Sequence, residues 1–78
     1  MTFNPNFIEE FEVLNLFDIS NNQEGIKVHK EARPETIDAA RRLHEKGLLT
    51  QVDGGYLTRL GQQAAEHAQA LKTILSAG

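Results

Sequence analysis

The sequence predicts a small α+β domain built from three main helices, a short strand and a β-hairpin. Apolar residues recur at helical spacing in three segments, and residues that favour helix ends bound these segments. Between the second and third segments, Asp53-Gly54-Gly55 separates two short apolar runs, which is typical of a hairpin turn. Because 78 residues suit one compact unit, we predict a single domain over residues 1–78.

The first helix is predicted from about Pro5 to Phe17. Asn4 can cap a helix, and proline is favoured at the first helical position. Phe7 and Phe11 stand four residues apart and therefore share one side of this helix. Since all four phenylalanines of the chain lie within residues 3–17, we expect this helix to supply the bulk of the core.

Turn-forming residues follow at 18–25, and a short strand is predicted from Gly25 to Lys30. The second helix is predicted from Pro34 to about Lys46, because Gly47 suits the position after a helix end. Its periodicity divides it into two sides. We expect the buried side to carry Thr36, Ile37, Ala40, Leu43 and His44, and the solvent side to carry Glu35, Asp38, Arg41, Arg42 and Glu45.

The hairpin comes next, and two registers are open for it. A turn at Gly54-Gly55 would pair Val52 with Leu57. A turn one residue earlier would pair Gln51 with Tyr56. We favour the first register, because it puts two apolar residues on one buried face.

The last helix is predicted to begin after Thr58, a good capping residue, and to run to about Ser76. Its apolar stripe consists of Leu60, Ala64, Ala68, Leu71 and Leu75, with Ile74 alongside. The alanines of this helix would let another helix approach closely, and so long a helix on so small a body suggests a contact between copies. We therefore predict a homodimer through the C-terminal helix.

Helix, hairpin and helix in this order make the domain winged-helix-like, and such domains place a recognition helix in the major groove of DNA. The net charge of −3 argues against a nucleic-acid partner, but residues 25–46 carry six basic against four acidic residues. The leading hypothesis is a DNA-binding or transcription-associated protein. Its candidate phosphate-binding residues are Lys30, Arg33, Arg41, Arg42, Lys46 and Arg59.

The alternative is a protein–protein interaction module that binds no nucleic acid and uses its helix faces and its acidic first helix. Acidic residues of the second helix stand three or four positions from Arg41 and Arg42, so these charges can pair on the helix surface. Asp53 at the hairpin tip would repel phosphate.

The chain also departs from a full winged helix, which has two helices between the first strand and the hairpin. Only one helix fits between Lys30 and Leu48. Either a short turn replaces the missing helix, or the chain has a different α+β arrangement.

No residues point to an enzyme, a metal site or a cofactor. The chain has no cysteine, and none of His29, His44 and His67 has a ligand-type partner on a shared helical face. Glu9 and Glu10 are adjacent on a helix, so their carboxylates diverge. No apolar run approaches ~20 residues, so we expect no membrane span and a cytoplasmic protein.

Four stretches carry a resemblance that covers essentially the whole chain. They are EGIKVHKEA at Glu24–Ala32, RLHEKGLLTQVDGGYLT at Arg42–Thr58, LG at Leu60-Gly61 and AAEHAQAL at Ala64–Leu71. In these stretches the chain resembles a small bacterial family of uncharacterised proteins of nearly this length. The resemblance implies no established activity and no catalytic or binding residues, although some members are labelled DNA-binding proteins or transcriptional regulators.

Overall fold

The computed structural model describes residues 4–20 and 24–77, which form an α+β domain with three helices and one three-stranded sheet. In chain order the elements are α1 (Pro5–Leu14), β1 (Ile26–Lys27), α2 (Pro34–Glu45), β2 (Leu49–Gln51), β3 (Gly54–Leu57) and α3 (Arg59–Ala77). The sheet is antiparallel, with the strand order β1-β3-β2. The predicted fold class is confirmed.

A single turn leads from β1 into α2. The Ala32 backbone N–H donates to the His29 carbonyl oxygen at 2.9 Å, and α2 begins two residues later at Pro34. Of the two arrangements that the sequence left open, a short turn in place of the missing helix is therefore the one observed.

The helix α1 begins as predicted and ends three residues early. The Asn4 side chain accepts a hydrogen bond from the Asn6 backbone N–H at 2.9 Å, which caps the first turn. At the other end, Asn15 donates its side-chain N–H to the Phe11 carbonyl oxygen at 2.8 Å. This bond lets the chain leave the helix after Leu14 instead of Phe17, because a short polar side chain competes with the helical backbone bonds.

The turn after α1 is held by the Asp18 carboxylate. The Ser20 hydroxyl donates to it at 2.5 Å, and the Ser20 backbone N–H donates at 3.0 Å. These two hydrogen bonds, the hydroxyl bond above all, lower the pKa of Asp18 below its ordinary value. The predicted turn chemistry of residues 18–25 holds at this end, and residues 21–23 lie outside the described part of the chain.

The core draws on all three helices and on β2, and α1 does not supply the bulk of it. The buried apolar residues are Val13, Leu14, Phe17, Ala39, Ala40, Leu43, Leu49 and Ala65. The expectation that the first helix, with its phenylalanines, supplies the bulk of the core was wrong: Phe17 is buried, but Phe7 is 53% exposed, and Phe3 lies outside the described residues. The reason is that α1 buries side chains mainly in its C-terminal half, so its N-terminal half has less cover.

Both predicted hairpin registers were wrong. Gln51 pairs with Gly54, and the two-residue turn consists of Val52 and Asp53. Gly54 is the first residue of β3, and a Cβ there would lie 2.6 Å from the Ile26 carbonyl oxygen of the neighbouring strand β1. Its φ of 123° also suits glycine alone. The glycine therefore serves the approach of β1 and not the turn.

The junction between α2, the hairpin and α3 is tied by Thr58. Its hydroxyl donates to the Gly47 carbonyl oxygen at 2.6 Å and accepts from the Gly61 backbone N–H at 3.0 Å. The predicted cap is thereby confirmed. Gly61 follows at the first turn of α3, where a Cβ would lie 2.0 Å from the Leu48 carbonyl oxygen.

Candidate functional site

Three of the six candidate basic residues lie between α1 and α2, where they pair with acids of α1. The Arg42 Nε atom lies 3.2 Å from Glu10 Oε2, and Lys46 Nζ pairs with Oε1 of the same carboxylate. Arg33, just before α2, donates to Glu9 Oε1 at 3.2 Å. Because the paired residues are 24 to 36 positions apart in sequence, these contacts fix α2 against α1.

Glu10 is the centre of this cluster and is 5% exposed. A carboxylate withdrawn from water is costly unless cations and hydrogen bonds compensate it. Arg42 lies in the last turn of α2, and Lys46, four residues later, is the C-cap of this helix, so both can reach Glu10 from one side. Lys46 Nζ also lies 5.3 Å from the centre of the Phe7 ring, which adds a cation–π contact.

The position of Arg42 corrects its expected place on the solvent side of the second helix. Its side chain is 26% exposed and lies against α1, where its Nη2 atom also donates to the Asn6 carbonyl oxygen at 3.4 Å. Helical periodicity predicts the direction of the Arg42 side chain relative to that of Leu43. It does not predict that Glu10 of α1 lies within reach of Arg42. His44, expected on the buried side, is exposed.

The other three candidates remain on the surface but lie in different places. Arg41 pairs with Asp38 at 2.5 Å, as the spacing on α2 predicted, and both side chains are about half exposed. Lys30 lies in the turn before α2, and Arg59 is the first residue of α3. Neither makes an ion pair with any residue of 4–20 or 24–77. They line separate depressions, one beside Asp53 and the other beside Glu66.

A continuous apolar surface lies along α1 and α3, and we call it the α1–α3 surface. It is formed by Phe7, Ile8, Leu71, Ile74 and Leu75. Ile74 and Leu75 are 69% and 70% exposed, and the other three are about half exposed. Four of the five line an open groove of about 530 Å³, together with Phe11 and Glu12.

The groove exists because α3 continues past the body of the domain. The last side-chain hydrogen bonds from α3 to the rest of the domain are made by Gln69, whose Nε2 donates to the Leu14 and Phe17 carbonyl oxygens at 3.3 and 2.7 Å. Residues 70–77 that follow are all exposed. Leu71 and Leu75 of this segment meet apolar side chains of α1 in a groove that nothing covers within the described chain.

The sequence predicted the apolar stripe of α3 but not which residues of this helix the domain buries. Leu60, Leu71 and Leu75 were predicted as one stripe, yet all three are about half exposed or more, and the buried line of α3 is Gly61 and Ala65. The sizes of the side chains could have indicated which side of α3 is buried. Glycine and alanine let α3 lie close to the sheet, and at that distance a leucine does not fit.

The histidines and acids form no metal site among residues 4–20 and 24–77, since no three of them come close enough to hold an ion. His29, His44 and His67 are all exposed and lie on different elements. In the same described ranges, no helix combines the length and the apolar composition needed to cross a membrane.

Comparisons with curated proteins and with solved structures found no match to this chain. A family model matches it over residues 1–76, which is almost the whole length. That match agrees with the expected resemblance to a small uncharacterised family, and it brings no activity or binding residue with it. The chain belongs to the family of unknown function DUF5669.

Proposed function

We propose that the protein is an interaction module that binds a protein partner through the α1–α3 surface. One observation carries the proposal: four large apolar side chains that are about half exposed or more line one groove of a 78-residue chain, and Ile74 of the same surface is 69% exposed. Contiguous apolar area of this kind on a small protein marks a surface that is covered in its working state. A single exposed leucine would carry no such meaning.

The charge distribution also supports a protein partner over nucleic acid. For Arg42 or Lys46 to reach a phosphate, it would have to leave the Glu10 carboxylate, which is 5% exposed and would lose a cation. Arg33 is similarly held by Glu9. Half of the basic candidates thus stabilise the fold, and the chain keeps a net charge of −3.

Site-specific photo-crosslinking in cells that naturally express the protein tests the proposal. A crosslinking amino acid at position 74 should capture one discrete polypeptide, and the same probe at Glu45, which is exposed on α2, should not. Adding Leu71→Glu should abolish the capture from position 74 without changing the circular dichroism spectrum. Equal labelling from both positions, or none from position 74, would contradict the proposal.

Duplex DNA is the second candidate partner, and the cytoplasm is the expected compartment for both. Two observations favour it: α2, the hairpin and α3 follow in winged-helix order, and Lys30, Arg41 and Arg59 remain on the surface. Transcription control would be the expected role. Phosphate contacts weaken as salt rises, so binding to random duplex should be strongest near about 50 mM salt and fall steeply by about 200 mM.

A variant pair makes the DNA test specific. Arg41→Ala combined with Arg59→Ala should reduce duplex binding and flatten its salt dependence. Glu45→Ala, which removes an acid from α2, should leave binding unchanged or strengthen it. Absence of binding at about 50 mM salt would exclude this second candidate, because phosphate contacts are strong at that salt concentration.

A further inference from the structure

The exposed side of α3 has a spacing that the proposed function alone does not explain. Leu60, Ala64, His67, Leu71 and Ile74 follow one another at intervals of four, three, four and three residues. This is the spacing of positions a and d in a helix that packs along another helix. Ala64 is half-buried and the other four are exposed, so this line, which we call the α3 seam, is open to solvent.

We infer that the partner of the α1–α3 surface is a second copy of the chain, docked with the two α3 helices antiparallel. This inference rests on the proposed function and names its partner. Leu60 lies about 16 Å along the helix axis from Leu71 and so outside the groove of its own chain. In an antiparallel pair, Leu60 of each copy meets the groove of the other. In a parallel pair Leu60 would face Leu60, and both grooves would stay open.

The area available agrees with what a specific dimer needs. The six exposed apolar side chains of the groove and the seam are Phe7, Ile8, Leu60, Leu71, Ile74 and Leu75. At exposures of 49% to 70%, they offer about 700 Å² per copy, taking about 200 Å² for each large side chain. Two copies would therefore cover about 1,400 Å², towards the lower end of specific interfaces.

His67 lies at the middle of the α3 seam and limits the strength of the contact. A polar residue at such a position lowers the stability of a helix pair while fixing its register. Replacing it with leucine removes this cost. Glu66 offers the matched control, because it is exposed on the same turn of α3 but points away from the seam.

Sedimentation equilibrium of the full chain from about 1 to 200 µM tests the inference. The wild type should be dimeric at about 100 µM, and Leu71→Glu should weaken dimerisation at least tenfold while circular dichroism shows an unchanged fold. His67→Leu should strengthen dimerisation at least tenfold, and Glu66→Leu should change it far less. A monomeric wild type at about 200 µM, or equal strengthening by the two leucine variants, would show that the α3 seam is not a dimer interface.

A charge exchange tests the orientation. An antiparallel pair centred on His67 brings Leu60 of one copy opposite Ile74 of the other, because both lie seven residues from His67. Leu60→Lys and Ile74→Glu should each weaken the dimer, and the two together in one chain should dimerise more strongly than either single variant. Lys30→Glu, a charge reversal at an exposed lysine in the turn before α2, should have little effect. If the double variant is as weak as the singles, the antiparallel arrangement is wrong.

The outcomes also separate this inference from the proposed function. If the wild type is monomeric but the probe at position 74 captures a polypeptide of another mass, the second copy is excluded and the interaction module stands. If the captured species has twice the mass of the chain and sedimentation shows a dimer, both stand. If the probe captures nothing and the chain is monomeric, both fail.

Discussion

Glu10→Gln is the substitution that tests most directly how α2 is held on α1. The variant keeps the shape of the side chain but removes the charge that pairs with Arg42 and Lys46. Hydrogen bonds to charged groups contribute about 1.5–3 kcal/mol each. Two effects reduce that figure here: Lys46 is 46% exposed and can return to water, and burial of the carboxylate is itself costly.

The expected loss for Glu10→Gln is therefore about 1–2 kcal/mol in the free energy of unfolding. For a domain of this size, each kcal/mol lowers the melting temperature by about 4–8 °C. Urea denaturation followed by circular dichroism measures the loss, with all variants at one protein concentration because self-association would shift the midpoint. Glu45→Gln, an exposed acid of α2, is the control and should stay within about 0.5 kcal/mol of wild type.

A double-mutant cycle identifies the cause of the loss. Lys46→Met keeps the aliphatic stem beside Phe7 and removes the ammonium. If Glu10 and Lys46 interact, the double variant should lose less stability than the sum of the two single variants, by about 0.5 kcal/mol or more. Strict additivity, or a Glu10→Gln variant as stable as wild type, would show that the ion pairs do not hold α2 in place.

Two further predictions concern the α2–α3 junction. Gly61→Ala should cost about 1–3 kcal/mol of stability, because its Cβ would lie 2.0 Å from a Leu48 carbonyl oxygen that is itself fixed by a 3.0 Å hydrogen bond from the Thr58 N–H. A Cβ at Gly47 would have no atom within 4 Å, so Gly47→Ala should cost only about 1 kcal/mol of stability, because of the φ of 84° at this position. Equal losses of stability at the two glycines would refute the steric argument. Thr58→Val should cost about 1 kcal/mol by removing the cap, whereas Thr58→Ser should be nearly neutral; thermal melts compare the two, and equal melting points would show that the hydroxyl is not what matters.

The sequence predicted those parts of the fold that neighbouring residues determine. Asn4 and Thr58 cap helices with their own side chains, and Gly47 lies just after the α2 end with a φ of 84°. Each of these features acts within four residues along the chain, so single-sequence reasoning can find it.

The hairpin register and the side of Arg42 could not be found in this way, because both depend on distant residues. Gly54 is placed by its approach to Ile26 of β1, and Arg42 by Glu10 of α1. An apolar pairing of Val52 with Leu57 was a reasonable local choice, but Val52 is 52% exposed and lies in the turn. For the same reason the sequence could not show that Arg33, Arg42 and Lys46 pair with acids of α1.

The ion pairs and the exposed groove have a common origin in the size of the domain. Glu10 holds α2 against α1 through Arg42 and Lys46, and among the described residues the groove is lined by α1 and α3 alone. The α3 helix reaches the sheet through Gly61 and Ala65, and its leucines therefore point elsewhere. A chain of about this length buries only about 60% of its unfolded surface, so a further apolar face needs a partner rather than a larger core. Self-association through that face would give each copy the cover that its own 78 residues do not supply.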